Sequence, residues 1–489
     1  MKKFSLLELL HPDGIAHTSL VLGSSCPEIL RPELQERFDG NADLFILAPS
    51  GKESNSQVWL EAAVRAMSDY LAADGVGYVL VSPRYRWRVI NMLYVAGLVI
   101  DSAFWHFPDW TSSRYLIPME RFPGRFAVDT ILSAPSLKRA FALQMFQYSS
   151  ARWLMTIFWD RVGIVTRRHG ARPLCQWLFQ GEQRSSGSAI IRRSWREAKG
   201  ANICYGFSER DALPSVITKT SAVENASSLN REAKVLKNLA SEARQAGVQV
   251  PKIIERQQND QHSSLLLSFI PGQSVSDLLA LKPDMFMPLM MKIVEWLDRW
   301  HRLTLTLQPF TSEQFERTVL SPLNQLTPLL QNVERYRNWL VECRALVVGN
   351  PVPLVAAHND LTMANILFDE QNQMGVVDWE TGCLENLPLV DFYYAVTDAV
   401  RIAAHCTDWL DAFKACYLPE GPYFTKVVAW RKQLQSAIDP SPEFTEICFH
   451  ACWLHHASNE QQTSEPGEPR PFLEIVQWLA SHESKSDQE

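Results

Sequence analysis

Between His358 and Glu380 the chain reads HNDLTMANILFDEQNQMGVVDWE, and this stretch restricts the fold more than any other. Two short apolar runs, Ile366–Phe368 and Met374–Val377, flank the polar turn Asp369–Gln373, which predicts a β-hairpin. Asp360 and Asn365 stand just before the hairpin, and Asp378 stands where its second strand ends. So short a hairpin returns the chain to where it started. The two acids and the amide are therefore delivered to one place.

An acid and an amide from one loop, with an acid from the far end of a hairpin, form an all-oxygen set. Oxygen ligands suit Mg²⁺, which keeps several waters and completes its shell with phosphate oxygens. Phosphoryl transfer asks little covalent help from the protein. Metal ions offset the phosphate charge, and a side chain orients the incoming hydroxyl. In this reading Asp360 supplies a base, while Asn365 and Asp378 face the metal. Taken singly, each residue is an ordinary turn or cap residue, and the ordered set is what carries the reading.

The stretch resembles the aminoglycoside phosphotransferase and choline kinase family, whose catalytic loop reads H-x-D with an Asn after four further residues. The family's D-[FW]-E metal motif is matched by Asp378-Trp379-Glu380, and its P-x-x-D segment by Pro388–Asp391. The resemblance implies that Asp360 is the catalytic base, that Asn365 and Asp378 hold Mg²⁺, and that His358 braces the loop. It implies ATP as phosphate donor. The His-Asn-Asp spelling is common in choline and ethanolamine kinases. Glu380, Asp391, Tyr393 and Tyr394 are accordingly candidates for an acidic, aromatic pocket around a cationic amine. The alternative buries Asp391 beneath the loop and leaves the tyrosines to packing. No A-P-E segment follows Asp378, which favours an amino alcohol, amino sugar or sugar as acceptor over a protein.

Upstream, three antiparallel strands are expected at Ser188–Ser194, Ala201–Phe207 and Ser215–Thr220. The helix Ser228–Ala246 follows, then the strands Pro251–Arg256 and Ser264–Phe269. Lys219 alternates along SVITKTS and is placed to reach nucleotide phosphates. Glu232 lies on the apolar face of the helix, where an acid is costly unless paired, so a Lys219–Glu232 ion pair is expected. Ser268, Phe269 and Ile270 resemble the family's hinge, whose backbone meets adenine. No G-x-G-x-x-G is present; Gly187 and Gly200 are the only glycines in that region.

Before this part, Ser19–Gly23, Asp43–Ala48, Gly77–Ser82 and Tyr115–Met119 read as strands, with helices Val58–Ala73 and Arg86–Ala96 between them. The expected fold is multidomain α/β and α+β, a Rossmann-like α/β domain followed by a two-lobed protein-kinase-like domain. The boundaries read as 1–125, a helical connector 126–184, an N-lobe 185–272 and a helical C-lobe 273–489. Residues 19–119 resemble the later half of a class I methyltransferase sheet, degenerate because the candidate turn Gly23–Pro27 leaves little room for a cofactor half. A scaffold or substrate-recognition role is expected for it. Two competing classes are a nucleotide-binding pseudokinase, which should lack base or metal residues, and a bifunctional methyltransferase-kinase.

With 489 residues, a formal net charge of −7 and 46% hydrophobic content, the chain is a globular protein without an electrostatic footprint for nucleic acid. Nine scattered cysteines suit reduced thiols better than a disulfide framework. The apolar run at the N-terminus is interrupted by Glu8, and Val89–Ile100 is too short to span a bilayer. A cytoplasmic protein without a membrane span is expected; oligomeric state is left open. Cys448, Cys452 and His456 fall at i, i+4 and i+8, and their outer pair would lie about 12 Å apart along a helix, too far for one ion.

Overall fold

The computed structural model describes residues 19–22, 41–107, 113–119, 126, 161–171, 187–193, 201–208, 212–259, 262–331, 333–463 and 469–482. The chain divides into two compact units, Met1–Leu229 with Ile253–Phe269, and Asn230–Lys252 with Ile270–Glu489.

The strands of the first unit are β1 (Ser19–Leu22), β2 (Ala42–Leu47), β3 (Leu71–Val81), β4 (Leu98–Phe107), β5 (Tyr115–Pro118), β6 (Val162–Arg168), β7 (Gly187–Arg192), β8 (Asn202–Ser208), β9 (Val216–Ala222), β10 (Ile253–Gln258) and β11 (His262–Ser268). Among the described residues they form one sheet in the order β1-β2-β3-β6-β4-β5-β7-β8-β9-β11-β10. β1, β2 and β3 are parallel, and the connection from β2 to β3 runs through helices, as a parallel crossover requires. Alternation sorts their side chains. Leu44, Ile46, Val76, Tyr78 and Leu80 share one buried face. Phe45, Leu47, Val79 and Val81 share the other with Val64, Met67, Val89 and Leu93 from the helices Gln57–Tyr70 and Arg86–Val95.

Two expectations are corrected here. The helix ends at Tyr70, not Ala73, and β3 begins at Leu71. Gly75 is therefore a strand residue: a Cβ there would come within 2.8 Å of Ala42 O, so the glycine serves a close approach of β2, where the register shifts. The expected helical connector contains a strand, β6, antiparallel to both β3 and β4. Val162, Ile164, Val165 and Thr166 are β-branched and buried, which suits a central strand better than a helix. β4, which was not foreseen, begins in the apolar run Val89–Ile100, just after a helix ends and Gly97 takes φ 77°. Most of the connector, the turn Gly23–Pro27 and Gly200 lie outside the described residues.

Tyr115 pairs with Arg192 and Leu116 with Ile191 between β5 and β7, so the N-terminal strands and the antiparallel strands β7–β11 belong to one sheet. The expected boundaries at 125 and 184 both fall inside this unit.

The second unit is mainly helical, with two small sheets: β12 (Gln273–Ser274), β15 (Ile366–Phe368) and β16 (Met374–Val376); and β13 (Thr306–Pro309), β14 (Pro351–Ala357) and β17 (Cys383–Asn386). Its amphipathic helix Phe286–Thr304 buries Trp296, Leu297 and Trp300. Trp300 Nε1 donates to Ala356 O at 2.7 Å, fixing the end of β14 to that helix. No helix among the described residues is long and apolar enough to cross a membrane.

Candidate active site

β14 is buried along its length after Pro351, and it delivers the loop that starts at His358. The loop is closed by its own backbone. Thr362 N donates to Asp360 O at 2.8 Å and Asn365 N to Thr362 O at 3.0 Å. The Asn365 amide adds a third bond, Nδ2 to Asp360 O at 2.9 Å. Its Oδ1 is left free to accept, because the amide carries its donors on the other atom.

The hairpin forms as expected, with Ile366 opposite Val376 and Phe368 opposite Met374. It is sewn to the loop by Val377 N, which donates to Asn365 O at 3.0 Å. His358 makes the second stitch. Its Nδ1 accepts from Asp360 N at 3.3 Å, and its Nε2 lies 2.9 Å from Val377 O. With Nδ1 accepting, the proton belongs on Nε2, so the neutral ring bridges the loop at Asp360 to the residue before Asp378. Trp379 packs beneath, 4.8 Å from the His358 ring centroid and 5.7 Å from that of Trp300. Asn359 and Asp378 both take left-handed conformations, at φ 63° and φ 68°. Asn and Asp tolerate that region better than other side chains, which suits them to these two corners.

The helix Val390–Ala403 clamps the loop from below. Both oxygens of Asp391 accept backbone N–H groups, from His358 at 2.7 Å and Asn359 at 2.8 Å. Burial pushes the Asp391 carboxyl above its ordinary range, while the two N–H groups pull it back. Asp398, two turns on, accepts from Met363 N at 2.8 Å and is held by Arg401 Nη2 at 2.7 Å. Asp360 lies between these two anchor points. Leu389, just before the helix, sits at φ 67°, a strained conformation for a bulky residue that sets the entry of Asp391. Burial, then the Asp360 and Asp398 carboxylates, push the Tyr394 hydroxyl well above its ordinary value.

Asp391, Tyr393 and Tyr394 are placed among buried contacts. Asp391 is committed to the backbone, Tyr393 packs edge-on to Phe449, and Tyr394 stacks on His456 at 3.6 Å. Glu380 is half-buried in the turn Trp379–Thr381. The upstream candidates are placed as follows. Lys219 is buried on β9 opposite Leu265 and Ile203, in the first unit. Ser268 ends β11 opposite Val216, and Phe269 N donates to Ser215 O at 3.2 Å. In the second unit, Glu232 is fully buried on the helix Ser227–Gln245, and Ile270 packs so tightly that a Cβ on Gly375 would meet its Cγ2 at 2.5 Å. Sequence reasoning missed Asp398 and Arg401. The spacing of seven between Asp391 and Asp398 puts both on one helix face, and that signal was available.

Among curated proteins no match is found. Two solved structures show partial likeness. The aminoglycoside phosphotransferase APH(3'')-Id from Streptomyces rimosus, in complex with ADP and streptomycin, is 15% identical over 52% of this chain and 90% of that chain, with a TM-score of 0.34. A thermostable mutant of aminoglycoside phosphotransferase APH(4)-Ia, apo form, is 11% identical over 64% and 99%, with a TM-score of 0.42. A sequence profile of the phosphotransferase enzyme family matches residues 193–426, which contain the loop, the hairpin and the clamping helix. The part of this chain from 193 to 426 therefore carries the sequence pattern of the phosphotransferase enzyme family.

Proposed function

We propose that the chain transfers the γ-phosphate of Mg·ATP to a hydroxyl of a small metabolite. The observation that carries this reading is the hydrogen-bonded circuit running from Asp360 through His358 to Val377, and back through Asn365 to Asp360. It holds a carboxylate, an amide oxygen and the residue before a second carboxylate as one rigid group.

In the reaction, Asp360 accepts the proton of the attacking hydroxyl and orients it in line with the phosphate. The residues present fit magnesium. Asn365 turns its donor inward and keeps an oxygen, and Asp378 supplies a carboxylate from the left-handed corner. A magnesium ion held there would draw its remaining ligands from phosphate and water. The metal would offset the charge of the transferring phosphoryl group. Lys219 is assigned to the nucleotide phosphates, and Ser268, Phe269 and Ile270 to the adenine. Residues 19–119 act as scaffold, extending the sheet that carries Lys219; a methyltransferase likeness for them rests on the sequence pattern alone.

The test is acceptor-dependent ADP release with Mg·ATP over a panel of hydroxyl compounds, comparing wild type with Asp360→Asn. Losing the base lowers turnover about 10²–10⁴-fold. Equal rates would remove Asp360 from the mechanism.

A further inference from the structure

The second unit contains a cavity of about 680 Å³ walled in part by Asn359, Thr381 and Gly382. Asn359 directly precedes Asp360, and Thr381 directly follows the Asp378–Glu380 motif. The volume is in the range that holds a small metabolite. Its charge is unusual for a chain with a formal net charge of −7. Arg231 and Lys234, one turn apart on the helix Ser227–Gln245, and Arg317, on the short helical segment Glu316–Leu320, line it. None of the three forms an ion pair among the described residues. The acids on the wall do not balance them. Glu385, exposed like the three cations, offsets one of them at most, and Asp391 already gives both oxygens to backbone N–H groups, which leaves the wall net positive.

Two histidines complete the wall. Asn459 Nδ2 lies 2.9 Å from His455 Nε2, and His456 is stacked against Tyr394. Burial, then the Arg231 charge, hold His455 down to about 4, and burial holds His456 well below its ordinary value. Both rings are therefore neutral at pH 7, and they add no charge to that of the three cations.

We propose that the acceptor is an anionic metabolite, a hydroxylated phosphate ester or carboxylate, whose charged end is held in this cavity by Arg231, Lys234 and Arg317. Two guanidinium forks and an ammonium suit an oxyanion, because Arg offers paired N–H donors to two oxygens at once. The same field disfavours the cationic amine that the His-Asn-Asp spelling suggests. This inference rests on the kinase reading for the word acceptor, but the cavity's preference for anions stands by itself.

The experiment uses the full chain and three polyhydroxylated probes: glucose 6-phosphate, gluconate and glucosamine. Thermal unfolding midpoints are measured with each probe, and ADP release with Mg·ATP is measured in parallel. The variants are Arg231→Gln/Arg317→Gln and Arg231→Lys/Arg317→Lys, each required to unfold at the wild-type midpoint without probe. The expected result is a raised midpoint with glucose 6-phosphate or gluconate, no shift with glucosamine, and loss of the shift in the Gln pair. KM for the anionic probe rises about tenfold in the Gln pair, the equivalent of one ordinary contact, and the Lys pair recovers part of it. Which of the two anions shifts the midpoint decides between phosphate and carboxylate. Glucosamine turnover that is the same in wild type and the Gln pair overturns the inference and leaves the kinase reading standing. Anion binding that the Gln pair loses, with no ADP release from any probe, overturns both the acceptor assignment and the kinase reading. An anion that speeds turnover of another acceptor without being consumed also overturns it. So does the absence of any midpoint shift with both anions.

Discussion

Asp391 shows how one side chain can set a loop. Its carboxylate accepts two consecutive N–H groups in a buried place, at 2.7 and 2.8 Å. Removing it leaves both donors unsatisfied, and each costs about 1–3 kcal/mol. Asp391→Ala should therefore lower unfolding stability by about 2–6 kcal/mol, and Asp391→Asn by less, since one oxygen still accepts. Urea unfolding of the three proteins checks this; an Ala variant as stable as wild type would show that the loop is held by other means. Asp360, Asn365 and Asp378 stood out as candidates because oxygen-bearing side chains gathered by one hairpin suit a magnesium-bound phosphate. Arg231, Lys234 and Arg317 were not. Exposed cations look like solvated surface in a sequence, and only the fold brings these three to one cavity.

Elements tested different kinds of signal. Short apolar runs beside turn residues predicted β2, β7–β9, β11 and the hairpin to within a few residues. β6 was misread, since its buried β-branched core lies between aromatic and basic neighbours that mimic an amphipathic helix. Inside β6, Gly163 leaves room for the Tyr78 hydroxyl, with which a Cβ would collide. Tyr78 also bonds His106 at 2.7 Å, so the ring cannot move freely. Gly163→Ala should cost about 1–3 kcal/mol, the usual penalty for overpacking, read as a lower thermal midpoint. An unchanged midpoint would mean that the ring is displaced without loss. At the other end of the chain, Glu460 caps the helix Pro471–His482 through the N–H groups of Phe472 and Leu473, both at 3.2 Å. Burial lifts its carboxyl to about 7 from an ordinary 4.5. The folded state thus keeps its proton where the unfolded state has lost it, and the contribution to stability falls as pH rises through that window. Glu460→Gln removes the titration. Its stability relative to wild type should grow between pH 4.5 and 7 and level off above; a difference independent of pH would contradict the assignment.

Across the whole molecule, the kinase-like part was readable because one hairpin and its flanking polar residues define it. The joining of strands from the N-terminal part to β7–β11 was not readable, since a β5–β7 pair leaves no local mark in either strand. The account as a whole rests on both ends of the hairpin serving the same metal-bound phosphates. The most direct measurement is calorimetric titration of ADP, with and without Mg²⁺, into wild type, Asn365→Ala and Asp378→Ala. The prediction is that Mg²⁺ tightens ADP binding at least about tenfold in wild type, one contact's worth, and much less in either variant, although the two residues stand on opposite sides of the hairpin. Equal dependence on Mg²⁺ in all three proteins would contradict it.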